Sequence, residues 1–181
     1  MMSNTLLESV VKKNRARLIP FMLALYVLAF LDRSNIGFAK ETYQLDTGLS
    51  NEAYALGAGI FFVVYAFLGV PANLLMRKFG ARRWIGCTTL LWGVLSAAMA
   101  WADTEAKFLL VRTLLGAAEA GFFPGMIYLT SQWFPQQNRA SIMGLFYMGA
   151  PLALTLGSPL SGALLEMHGL DRKSTRLNSS H

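Results

Sequence analysis

Four charged residues stand inside otherwise apolar runs: Asp32, Arg33, Arg112 and Glu119. Holding a charge within a bilayer costs about 2.5–3.5 kcal/mol on insertion scales, so each needs a partner or a task. Arg112 and Glu119 are seven residues apart, which puts them on one helical face within about 20°. With a helix rise of about 1.5 Å per residue, a first span starting at Leu18 carries Asp32 roughly 21 Å inward. A fourth span entering from the opposite side near Lys107 brings Arg112 to the level of Arg33, with Glu119 about 10 Å deeper, near the midplane. Two guanidiniums at one depth, with carboxylates beside and below them, can hold an organic anion through charge-assisted contacts. A carboxylate removed from water resists ionisation, so Glu119 is a candidate proton carrier, with the proton as coupling ion. Tyr65, near the middle of the second apolar run, can add a hydroxyl to the same cavity. The structural alternative has Asp32 paired permanently with an arginine, Arg33 and Arg112 reaching to the outer interface, Tyr65 packing, and the whole set fixing helix positions only.

The elements that must position these groups are all helices in lipid. The 181 residues are 54% hydrophobic and 14% charged, against about 25% charged in a soluble domain. Stretches such as 61–70 and 152–160 show no polar face at helical spacing. Apolar runs at 18–39, 53–76, 84–102, 108–134 and 141–165 each approach or exceed the roughly 20 residues that span a bilayer. Residues 1–17 form an amino-terminal segment and 166–170 an outer connection. Lys12, Lys13, Arg15 and Arg17 before the first run resemble a signal peptide's charged flank, but the run ends in Asp32 and Arg33 with no small-residue cleavage pattern.

Cations alternate along the chain. Lys12 to Arg17, Arg77 to Arg83 and Arg139 fall in the odd connections, whereas the even ones hold Lys40 and Lys107 among Glu41, Asp46, Glu52, Asp103, Glu105 and Glu166. The positive-inside rule then puts the amino terminus and the Arg77 to Arg83 loop of a multi-pass membrane protein in the cytoplasm. The net charge of +6 is therefore topology, and nucleic acid is not an expected partner. Glycines and alanines at close spacing, Gly57 and Gly59, Gly116 to Gly121 and Gly144 to Gly162, let helix backbones approach in a bundle. Pro71, Pro124, Pro151 and Pro159 are candidate kinks. Cys87 excludes an internal disulfide and is expected to pack within the bundle. No cofactor or metal is expected, and the absence of a metal-spaced His pair, nucleophile elbow or phosphate loop argues against an enzyme.

The motifs LDRSNIGFA (31–39), GVPANLLMRKFGARRWIG (69–86), RTLLGAAEAGFFPGMIYLTSQWFP (112–135) and GSPLSGALL (157–165) together resemble the anion:cation symporter family of the major facilitator superfamily. The resemblance implies a transporter of two six-helix halves that rocks around a mid-membrane site, of which five helices are present here. It implies proton symport of a small carboxylate, such as a sugar acid or an aromatic or dicarboxylic acid, with the lipid bilayer and a missing carboxyl-terminal half as partners. Within it, Arg33, Arg112 and Tyr65 match substrate contacts, and Glu119 and Asp32 match proton-coupling groups. Gly80, Arg82 and Arg83 match the cytoplasmic gating loop between the second and third spans. The acidic residue of that loop's Gly-x-Leu-x-Asp pattern is replaced by Arg77, which puts its charge relay in doubt. The polar end at 171–181, DRKSTRLNSSH, resembles adapter-derived read-through and is expected to be a non-native tail. A rival of another class, a membrane sensor or scaffold that binds an anion without moving it, would use the same buried charges.

Overall fold

A computed structural model describes residues 2–159 together with 162 and 163; the outer connection at 166–170 and the tail at 171–181 lie outside the described residues. The described chain is helical throughout: α1 (Met2–Phe38), α2 (Lys40–Thr47), α3 (Asn51–Phe79), α4 (Ala81–Ala98), a 3-10 turn (Met99–Trp101), α5 (Glu105–Glu119), α6 (Phe122–Trp133) and α7 (Gln136–Tyr147). After Met148 the course of α7 resumes as helix over 149–159. Five stretches are long and apolar enough to cross a membrane: Glu8–Phe38, Asn51–Phe79, Ala81–Trp101, Glu105–Trp133 and Gln136–Pro159. Each overlaps one of the apolar runs. Most of them begin several residues earlier, because backbone hydrogen bonds continue into polar sequence while hydropathy marks only the part in contact with hydrocarbon.

Local chemistry sets the joints. Ser50 caps α3 by accepting from the Ala53 amide at 3.1 Å, and Thr104 caps α5 by accepting from Lys107 at 3.4 Å. Gly48, at φ 72°, closes α2 in the left-handed conformation. The fourth span is not one rod. α5 stops at Glu119 and α6 begins at Phe122; Pro124 has no amide hydrogen to return to the Ala120 carbonyl, so the hydrogen-bond ladder is broken at that point.

The packing is that of a bundle in lipid. α3 and α5 are the most intimate pair: a Cβ at Gly116 would lie 2.5 Å from the Phe61 carbonyl, and one at Gly57 would enter the Phe108 ring. The fifth span lies on α1, with Gly149 against Tyr26 and Gly157 against Leu31. The Tyr26 and Phe146 rings stack at 4.4 Å at the centre of the main core. Outward, Phe67 is 80% exposed and Leu90 is 73% exposed, an arrangement suited to acyl chains rather than water.

Two readings of the sequence change. Cys87 is exposed and does not pack within the described bundle. The segment after the first span contains a short helix, α2, which no apolar run announces.

Candidate functional site

Arg33 and Glu119 meet directly, from α1 and the end of α5. The Arg33 Nε and Nη2 groups both reach Glu119 Oε2 at 2.8 Å. Glu119 Oε1 is buried without a hydrogen-bond partner. The Arg33 side chain keeps 21% of its surface, and that of Glu119 keeps none. The Arg33 guanidinium also lies 4.6 Å from the Tyr65 ring centroid and 5.6 Å from that of Phe61, a cation–π cradle built by α3. Arg33, Glu119 and Tyr65 therefore form one cluster.

Asp32 and Arg112 form a second group, lining one cavity. Asp32 accepts a hydrogen bond from the Ser96 hydroxyl of α4. Arg112 is 2% exposed, donates from Nε to the Gly57 carbonyl at 3.2 Å and lies 4.5 Å from the Phe61 ring centroid. Both line a cavity of about 220 Å³ together with Asn35, Tyr43, Tyr54 and Ser96. No ion pair joins Asp32 to an arginine among the described residues, so the structural alternative with that pair does not hold here. Both guanidiniums lie against the Phe61 ring.

An aromatic layer closes this cavity on the acidic side of the bundle. Tyr43 of α2 donates its hydroxyl to the Ala102 carbonyl, and Tyr54 donates to the Ile36 carbonyl. The Tyr54 and Phe108 rings stack at 5.2 Å. Burial, and then the charge of Asp103, push the Tyr43 phenol above its ordinary range. Asp103 itself is held below the usual carboxylate range, chiefly by its hydrogen bond from Lys107 at 2.6 Å.

Gly80 joins α3 to α4 at φ 86°, its amide donating to the Met76 carbonyl. Arg82 and Arg83 follow in the first turn of α4, exposed and remote from both clusters. Arg77, in the position where the resemblance led us to expect an acid, lies 6.0 Å from the Tyr128 ring centroid. Sequence reasoning missed Ser96, Gly57 and Phe61. Ser96 had a readable signal, a hydroxyl inside an apolar run; the other two act through a backbone carbonyl and a ring face, which leave none.

The Major Facilitator Superfamily profile matches residues 22–171. The chain belongs to the Major Facilitator Superfamily. It is 92% identical over 168 residues to the inner membrane transport protein RhmT of Escherichia coli (strain K12), a match that takes in 93% of this chain and 39% of that protein. A putative tartrate transporter of Agrobacterium vitis is 50% identical over 168 residues, covering 93% of this chain and 37% of the relative. The superfamily fold is also seen in the crystal structure of a bacterial homologue of the human lysosomal transporter Spinster, with a TM-score of 0.76 at 23% identity over 87% of this chain and 34% of that one. The superfamily's members here are membrane transporters rather than enzymes, and this chain spans about two fifths of the length of the curated relatives it matches.

Proposed function

We propose that this chain is the amino-terminal part of a longer inner-membrane symporter of the anion:cation symporter family, which carries a small organic carboxylate together with a proton. The observation that supports this most is the one-sided pairing of Glu119. Both Arg33 contacts fall on Oε2, and Oε1 stays open. A proton arriving at Oε1 cancels the charge that holds Arg33. The guanidinium, already partly exposed, is then free to take a substrate carboxylate in its place. Loss of the proton restores the carboxylate, which competes for Arg33 and expels the anion. Substrate and proton thereby favour each other's binding, which is what symport requires.

Tyr65 holds the guanidinium on its face during the exchange of partners. Arg112 supplies a second positive charge beyond Phe61, and Asp32 is a second proton carrier, held by Ser96. The amino terminus and the Arg77 to Arg83 loop are cytoplasmic in this reading. The description of one relative as a putative tartrate transporter fits a substrate with more than one carboxylate.

The test is uptake by the full-length protein in proteoliposomes under a proton gradient. Glu119→Gln is expected to lose protonophore-sensitive accumulation while retaining substrate exchange. Unchanged accumulation would overturn the coupling role, and binding with no accumulation in the unmodified protein would favour the sensor or scaffold.

A further inference from the structure

A roomy cavity that shares no lining residue with either charge cluster lies at the basic end of the bundle. It has a volume of about 840 Å³ and is walled by the middle of α1, the end of α3, the start of α4 and the end of α6. Its floor is apolar, from Leu18, Phe21 and Leu129, and its rim carries Arg82, Arg83 and Trp133. Arg82 and Arg83 make no hydrogen bond or ion pair among the described residues, and no carboxylate lines the cavity. Trp133 is 54% exposed at the end of α6, the level at which an indole ring favours the membrane interface. The adjoining turn of α4 has no side-chain cap, so its free amides add to the positive field.

We infer that this groove binds an anionic phospholipid of the cytoplasmic leaflet, with its phosphodiester against Arg82 and Arg83 and its acyl chains along Leu18, Phe21 and Leu129. The proposal rests on the topology given under the proposed function but not on the symport mechanism. Charge complementarity selects the occupant. Two adjacent guanidiniums without protein anions call for a phosphate. A zwitterionic headgroup would set its own ammonium against them. A free phosphate would gain nothing from the apolar floor, whereas acyl chains gain by covering it.

The experiment is native mass spectrometry of the purified chain, and of the longer protein, in mild detergent with phosphatidylglycerol or cardiolipin, phosphatidylethanolamine, or inorganic phosphate added. Retention of the anionic lipids over phosphatidylethanolamine is expected. With each basic residue near an anionic surface contributing on the order of a tenfold change or somewhat less, the R82Q/R83Q double variant should lower retention by roughly 30-fold. A K12Q/K13Q double variant, which removes the same charge at the same end, should leave retention nearly unchanged. A photocrosslinking residue in place of Phe21 should capture the acyl chain in both unmodified proteins. Equal loss in the two double variants would mean diffuse attraction and would overturn the site. So would equal retention of phosphatidylethanolamine, competition by inorganic phosphate alone, or retention by this chain but not by the longer protein, in which other segments would then cover the groove. Uptake assays are not involved, so a failed symport mechanism and a failed lipid site are distinguishable.

Discussion

In one cluster Arg33 meets Glu119 as a direct ion pair; in the other Asp32 is held by a hydroxyl and Arg112 by a carbonyl and a ring. The four charges were read from the sequence as one constellation, and the structure divides them into two. In the first cluster each charge is balanced by the other, so a change in the protonation or occupancy of either is felt at once by its partner. In the second, neutral groups hold each charge separately, and the cavity between them leaves room for water. Consecutive residues of one helix thus serve clusters that differ in how tightly their charges are coupled.

Removing one member of each cluster should show the difference in stability. Glu119→Ala leaves the Arg33 guanidinium without its anion and is expected to cost about 3 kcal/mol, the lower end of the range for a broken buried pair because Arg33 keeps some exposure. Thermal or denaturant unfolding in detergent measures it. In a double-mutant cycle with Arg33→Ala the losses should be strongly non-additive, and additive losses would mean that the direct pair carries no coupling.

Ser96→Ala removes the hydroxyl from Asp32 and should cost about 1–2 kcal/mol, the loss of a hydrogen bond to a charged group. A loss as large as that of Glu119→Ala in the same unfolding assay would erase the contrast between the clusters.

The exposed Asp103–Lys107 pair is the reference for a charge contact in water. Asp103→Ala should produce no resolvable shift in Tm at neutral pH. Since Lys107 lowers the Asp103 pKa, any contribution is present above the ordinary carboxylate value and fades as pH falls through the lowered one. A pH titration of Tm in unmodified protein and variant checks this: the two curves should coincide from neutral pH into acid, and a loss in the variant that appears only in acid would contradict the sign.

Spans and charged candidates were legible because hydrocarbon imposes long apolar runs and makes each interruption conspicuous. The Arg33–Glu119 contact was not, although both residues had been singled out. Helical periodicity places Arg112 and Glu119 on one face of one helix but is silent about which side chain on another helix lies opposite. The same limit hid Gly57 as the carbonyl partner of Arg112. Helix α2 escaped notice because its residues, Lys40 to Thr47, are too polar to form an apolar run, and its ordering comes from Tyr43 reaching Ala102. Cys87 was misread because an apolar neighbourhood means burial in water but also means contact with lipid in a membrane.

The interruption at Ala120–Gly121 gives the fourth span a mechanical property that an unbroken rod lacks. α5 is held closely to α3 through Gly116 and Phe61 and also packs on α4, whereas α6 spreads its contacts over α7, α4, α3 and α1. The 12 residues of α6 make a lever about 18 Å long, so each degree of bending at the joint sweeps its Trp133 end sideways by about 0.3 Å. Glu119 sits beside the joint, where such a bend would displace a side chain least. The span can therefore change the shape of the basic end while leaving its one buried carboxylate in register with Arg33.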